Sequence, residues 1–292
     1  MAGDRGVTAP PRRPLVFLHI PKTSGIAVAH ALVAAEQPPR VWFGFDRAFF
    51  GGFSDFAGIA PDTRAFIHLS PATIPAGESV IRAHMSLTTL RAACGGARFM
   101  TVLREPACRI LSHFVFWRGF SAAQMQPWGG WAAVMREAAG PLAAFLASRH
   151  AACQIDNVAT RLLLWPHPLI PQAGMIDPAH DATLIAEASA RLATLDFAAA
   201  LESPDFAPRL AAFLGAAPAL EPHNVSPPLP GPLRTGLEAE LTGEARALLA
   251  ARSRLDLALW HQLVTRDGHD PAALRQDALA RGLTRVAALL AP

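Results

Sequence analysis

The apolar positions fall into short uninterrupted runs separated by longer stretches of helical spacing. Residues 15–20 (LVFLHI) lie between Pro14 and Pro21 and have the pattern of a strand buried on both faces. A PKTSG turn and an alanine-rich segment, 26–36, come next, and Pro38 and Pro39 end that helix. Residues 64–69, 79–84 and 98–103 are further candidate strands and 87–93 a short helix. Pro106 opens a helix at its first turn, where the missing N–H costs nothing. The middle, 131–165, has helical spacing broken at Pro141; 178–192, 204–214 and 236–265 are helical as well, 195–201 is a late strand, and VSPPLPGP at 225–232 is a loop. Apolar strands alternating with helices predict an α/β fold: a parallel sheet flanked by helices, with a helical C-terminal part and ligands bound beyond the carboxyl ends of the strands.

Composition narrows the class. Hydrophobic residues make up 51% of the 292 and charged residues 17%, enough for a full core and incompatible with disorder. The positive mean hydropathy, +0.25, comes largely from alanine, without the ~18 consecutive apolar residues of a membrane span. Residues 1–13 have no apolar stretch ahead of a small-residue cleavage site and are expected to be a flexible leader, with 14–292 a single α/β domain. Three cysteines, Cys94, Cys108 and Cys153, with no CxxC or Cys/His spacing, predict neither disulfide nor metal and fit a reducing cytoplasm. A net charge of +3 with scattered arginines lacks the basic stripe of a nucleic-acid-binding protein. Of the 26 basic residues 25 are Arg, the signature of a GC-rich genome, so the only lysine, Lys22, and the two asparagines, Asn157 and Asn224, stand out.

Two motifs sit at expected strand ends. In His19-Ile20-Pro21-Lys22-Thr23-Ser24-Gly25, backbone N–H groups, two hydroxyls and an ammonium gather at a helix N-terminus, which suits an anion. It is neither GxxxxGK[ST] nor GxGxxG. A surface turn with a solvated lysine is the alternative. In the LREPACRILSHF stretch, Arg104 leaves a strand and Ser112 lies two turns into the next helix, on one face with Arg109. A guanidinium fork and a hydroxyl suit a phosphate monoester, while a capping or ion-pairing Arg104 beside Glu105 is the structural alternative. Two anion sites at strand ends make a ligand with phosphates at both ends the economical reading.

LHIPKTSG and LREPACRILSHF, about eighty residues apart, together resemble the PAPS-dependent sulfotransferases, in the branch of heparan sulfate 2-O-sulfotransferase, carbohydrate sulfotransferases and soluble bacterial relatives. Family members carry IPKTGG(T/S), LRDPxxRxxSxY, DNxxTRxL, a strand followed by Glu, an Asn-x-Ser element and a C-terminal Asp-bearing helix. The last four look like 156–162 (DNVATRL), 197–202, His223-Asn224-Val225-Ser226 and 256–260 (DLALW), so the resemblance runs from about residue 14 to 266. Ser24 replaces the first motif glycine, Ile26 and Ala27 the hydroxyl residues that follow Gly25, Glu105 the Asp and Phe114 the Tyr.

The resemblance implies a P-loop-NTPase-like sheet and transfer of a sulfuryl group from PAPS to a hydroxyl of a glycan, glycolipid or small metabolite, leaving PAP. It implies that Lys22 neutralises the leaving oxygen, that Lys22, Thr23, Ser24 and Gly25 hold the 5′-phosphate, and that Arg104 and Ser112 hold the 3′-phosphate. The family's basic histidine follows a strand in a GHxSF-like segment, matched by 82–86 (RAHMS), which makes His84 the candidate base; the alternative for His84 is a strand-end histidine bonded to backbone. His68 and Glu78 are the reserves. Arg82, Asn157 and Arg161 are candidate substrate contacts, with helix capping an equal account of Asn157. The loops 43–62 and 116–131, with Trp117, Trp128 and Trp131, are where acceptor choice is expected, though burial is an ordinary fate for such tryptophans. A nucleotide-dependent kinase and a non-catalytic PAP-binding relative are the competing functions.

Overall fold

Five apolar runs form strands: β1 (Leu15–Leu18), β2 (Val41–Phe45), β3 (Val80–His84), β4 (Arg98–Leu103) and β5 (Phe197–Ala200). In the computed structural model, which describes residues 13–292 apart from 39, 76, 217–219 and 221–228, they pair wholly in parallel in the order β2-β3-β1-β4-β5. The helices of the first half are α1 (Gly25–Glu36), α2 (Arg47–Phe50), α3 (Pro61–Arg64), α4 (Leu87–Ala93) and α5 (Pro106–Arg118). A helical middle follows with α6 (Ala122–Met125), α7 (Trp131–Arg136), α8 (Leu142–Ala147), α9 (Ala152–Ile155), α10 (Val158–Leu164) and α11 (Asp181–Ala193). After β5 come α12 (Phe206–Leu214), α13 (Leu237–Glu240), α14 (Gly243–Arg266) and α15 (Pro271–Leu290). Among the described residues no helix is long and apolar enough to cross a membrane.

The period of two along β1 sorts its side chains. Leu15 and Phe17 pack under α1 and α12, whereas Val16 and Leu18 face α4, α10, α11 and the C-terminal half of α14. Thus α1 leaves β1 toward one face and α4 leaves the neighbouring β3 toward the other, which opens a crevice at the carboxyl ends of these two strands. A third cluster joins the end of β2 to α5, α7, α8 and α15. Helix α5 starts as the sequence predicts, with Pro106 in its first turn and the Glu105 side chain accepting from Cys108 N.

One strand expectation needs correction. Residues 64–69 do not form a strand: Pro61–Arg64 is helical, Phe66 and Leu69 are exposed, and only Ile67 bridges to Phe45. The edge strand is instead β2, within the stretch expected to belong partly to an aromatic loop. Gly44 is its key, since a Cβ there would lie within 2.9 Å of Trp42, Met85 and His68 side chains. In the 225–232 loop, 225–228 lie outside the described residues, and Gly231–Leu233 forms a 3-10 turn.

Candidate functional site

β1 ends at Leu18, and His19 N extends its pairing by donating to Ala83 O at 2.9 Å. The chain then turns sharply into α1 with both Lys22 (φ 71°) and Ser24 (φ 59°) left-handed, a conformation costing a non-glycine residue about 1–2 kcal/mol. Ser24 stands where the resembled motif has glycine, the residue such a φ favours. Gly25 is required for a different reason: a Cβ would lie 1.6 Å from His19 Nε2. The Thr23 hydroxyl is buried and donates to Ile20 O at 2.9 Å, bracing the turn from inside.

A cavity of about 310 Å³ opens on this turn. Among the described residues four cationic side chains line it, Lys22, Arg82, Arg104 and Arg285, and no carboxylate does. Arg104 Nη1 donates to Lys22 O at 3.2 Å, and Lys22 Nζ sits 3.7 Å from the centre of the Phe116 ring. Burial, with Arg104 and Arg285 nearby, pushes the Lys22 ammonium down to about 7. Burial likewise lowers Arg82, whose Nε is enclosed without a hydrogen-bond partner and whose guanidinium lies 4.7 Å from the Phe43 ring centre. Like charges gathered in a lining that holds no carboxylate among the described residues are relieved by an anion.

The histidines are kept neutral. His84, half-buried at the end of β3, has Nδ1 2.6 Å from His19 O; a carbonyl only accepts, so Nδ1 carries the proton and Nε2 keeps the lone pair. Burial, reinforced by Arg82 and Lys22, pushes His84 down to about 3 despite that hydrogen bond. Burial also drives down His19 and His113; His19 Nδ1 and both His113 nitrogens are enclosed without partners. Phe43, Phe45 and Phe49 surround the His84 ring at 5.5–5.6 Å between centres. From there Trp128, Trp131 and Met135 continue an apolar wall.

Of the residues singled out in the sequence, Lys22, Ser24, Gly25, Arg82, His84, Arg104 and Ser112 all line this one cavity. Thr23 lies beneath it. Asn157 and Arg161 do not line it, and their expected contact with substrate is corrected. Arg161 is spent on Asp156 at 2.8 Å and on the carbonyls of Asp156, Pro171 and Gly174. Asn157, left-handed at φ 49°, donates to Asp156 Oδ1 and accepts from Leu255 N at 2.8 Å. Asn157, just ahead of α10, thus meets α14 and Arg161 the 171–176 segment, and Asp256 rather than Asn157 caps α10 by accepting from Ala159 N and Thr160 N. Arg109 is likewise internal, with Nη2 donating to Gln154 O at 3.1 Å.

The reserve bases lie outside the lining: His68 pairs with Thr73 Oγ1 and Glu78 with Arg40. Glu202, after β5, accepts from Glu105 N and Trp260 Nε1. The His223–Ser226 element, including Asn224, lies outside the described residues. Sequence reasoning missed Arg285, which α15 carries in from the far end of the chain with no local motif; His113, expected to be a packed or surface histidine, is buried and also lines the cavity. Among the described residues no group of three or more His, Cys, Asp and Glu side chains could hold a metal ion.

Comparison with protein-family models and with curated proteins finds no match for the chain.

Proposed function

We propose that the chain is a PAPS-dependent O-sulfotransferase on a P-loop-NTPase-like sheet, transferring a sulfuryl group in line to an acceptor hydroxyl. The observation that carries this reading is one cavity at the carboxyl ends of β1, β3 and β4 whose described lining combines four cations, no carboxylate, and a histidine whose Nε2 keeps its lone pair. Such a donor set fits a polyanion, and the unpartnered Arg82 Nε and crowded Lys22 ammonium fit it further. PAPS, when bound, supplies an activated sulfuryl group on a phosphate leaving group.

The protein's own groups divide the work. Lys22 and the N–H groups at the start of α1 would hold the 5′-phosphate, with the ammonium neutralising charge on the leaving oxygen. Arg104 and Ser112 would hold the 3′-phosphate, and Arg285 adds a cation from α15. His84 would take the acceptor proton at Nε2, with His19 O holding its tautomer. Burial first, and Arg82 and Lys22 after it, hold its basicity down, and anions beside those cations offset their part.

Thermal shift with adenosine 3′,5′-bisphosphate, ADP and ATP–Mg²⁺ tests the reading. At 100 times Kd the bisphosphate stabilises by about 2.7 kcal/mol, a shift of a few degrees for a chain of this size, and the other two do not. A shift with ATP–Mg²⁺ alone favours a kinase, and no shift with the bisphosphate overturns the proposal. His84→Ala is expected to bind the bisphosphate normally and to lose turnover; unchanged turnover removes His84 as the base.

A further inference from the structure

Sulfuryl acceptors range from polyhydroxylated sugars to alcohols with one hydroxyl on an apolar body, and these ask opposite things of a cavity. A sugar buried in protein needs a partner for each hydroxyl, and a hydroxyl left unpaired loses its water without compensation. Planar amide and carboxylate side chains are the residues that satisfy several hydroxyls at once. Among the described residues not one Asp, Glu, Asn or Gln lines the cavity. Three of its cations, Lys22, Arg104 and Arg285, gather at the β1–α1 turn, where the donor's phosphates are expected, and the fourth, Arg82, projects from β3 two residues before His84 and lies against Phe43.

Around His84 the surroundings are different. Phe45 and Phe49 flank its ring, Trp128 meets Phe45 edge-on at 5.6 Å, and Trp131 stands 6.2 Å from Phe49. Phe45, Phe49, Trp131 and Met135 are buried, whereas Trp128 is partly exposed. These rings brace one another through stacked, tilted and edge-on contacts, so the wall is formed before any ligand arrives.

We propose, on the basis of the sulfotransferase reading, that the acceptor is an alcohol or phenol with a compact apolar body and not a glycan. The body lies against Phe45, Phe49 and Trp128, and its one hydroxyl points to His84. The acceptor oxygen forms the new O–S bond while the sulfur–oxygen bond to the donor's phosphate breaks, its electron pair staying on the phosphate. The acceptor proton passes to His84 Nε2. The products are a sulfate monoester and PAP.

The test uses 2-naphthol and methyl β-glucopyranoside as probes on the full chain loaded with adenosine 3′,5′-bisphosphate, with binding followed by calorimetry and turnover by sulfate transfer from PAPS. The expected result is 2-naphthol binding about 100-fold tighter than the glucoside, with a negative heat-capacity change. Trp128→Ala is expected to weaken 2-naphthol about tenfold, while Trp128→Phe restores most of it and neither variant changes the bisphosphate thermal shift. Equal or tighter binding of the glucoside, or 2-naphthol binding indifferent to both Trp128→Ala and Phe45→Leu, overturns the inference. A normal bisphosphate shift without 2-naphthol binding sinks the acceptor class alone. Tight 2-naphthol binding without a bisphosphate shift sinks the donor reading, and 2-naphthol is then a ligand and not an acceptor.

Discussion

Burial, with Arg104 and Arg285 nearby, pushes the Lys22 ammonium down to about 7, where an ordinary lysine stands at 10.5. An anion beside it favours the charged form, so binding a bisphosphate above pH 7 must take up a proton. Affinity for adenosine 3′,5′-bisphosphate is therefore expected to be level just below pH 7 and to fall about tenfold per unit from pH 7 to 8.5. Calorimetry in buffers of different ionisation heat reads the proton count directly: close to one at pH 8.5, about half at pH 7. Lys22→Arg, charged throughout this range, is expected to bind with no such slope. A flat profile in the unaltered protein contradicts the proposed contact between Lys22 and the anion.

The elements contribute what no single residue carries. Helix α15 docks along α5 through Gly282, where an added Cβ would lie 2.4 Å from Cys108 Sγ, and one turn later it delivers Arg285 to the cavity. Gly282→Ala is expected to cost about 1–3 kcal/mol in denaturant unfolding, through overpacking against buried Cys108, and to weaken bisphosphate binding as Arg285 moves away. Arg285→Ala should separate these effects, leaving stability nearly unchanged while weakening the bisphosphate tenfold or more. If Gly282→Ala lowers stability but leaves affinity intact, the helix is a cover only. At this scale the sequence was legible where signals are local: the 79–84, 98–103 and 195–201 runs contain β3, β4 and β5, and Pro106 opens α5. It misled at 64–69, where an apolar run lies outside the sheet and β2 takes the edge.

For the molecule as a whole, the cluster of neutral histidines couples folding to acid. Burial lowers His19, His84 and His113 below the ordinary 6.5, so below that pH the unfolded chain binds protons that the native state refuses. Stability is then complete above about pH 6.5 and is lost as pH falls, by about 1.4 kcal/mol per unit for a fully buried histidine such as His113. Burial raises Asp46, Asp256 and Glu202, which act in the opposite sense near their own range. Comparing His113→Leu with the unaltered chain cancels that contribution: the variant's melting temperature is expected to drop less steeply between pH 6.5 and 5. Equal slopes mean that His113 takes up its proton in the native state.

The sequence by itself determined the alternation of strands and helices, the turn at 19–25 and the arginine–serine pair after β4. These rest on period, proline, caps and composition, which act within a few residues. Only the tertiary structure decided that His84, Lys22, Arg104 and Ser112 share a cavity with Arg285, that aromatic rings wall its other side, and that Asn157 braces α14 and Arg161 the 171–174 segment instead. Those outcomes depend on which helix face meets which neighbour, a property of contacts between segments far apart in the chain. Local spacing aligned Asn157 with Arg161; only the packing of α10 on α14 turned that face inward, where burial required every polar group to find a partner within the protein.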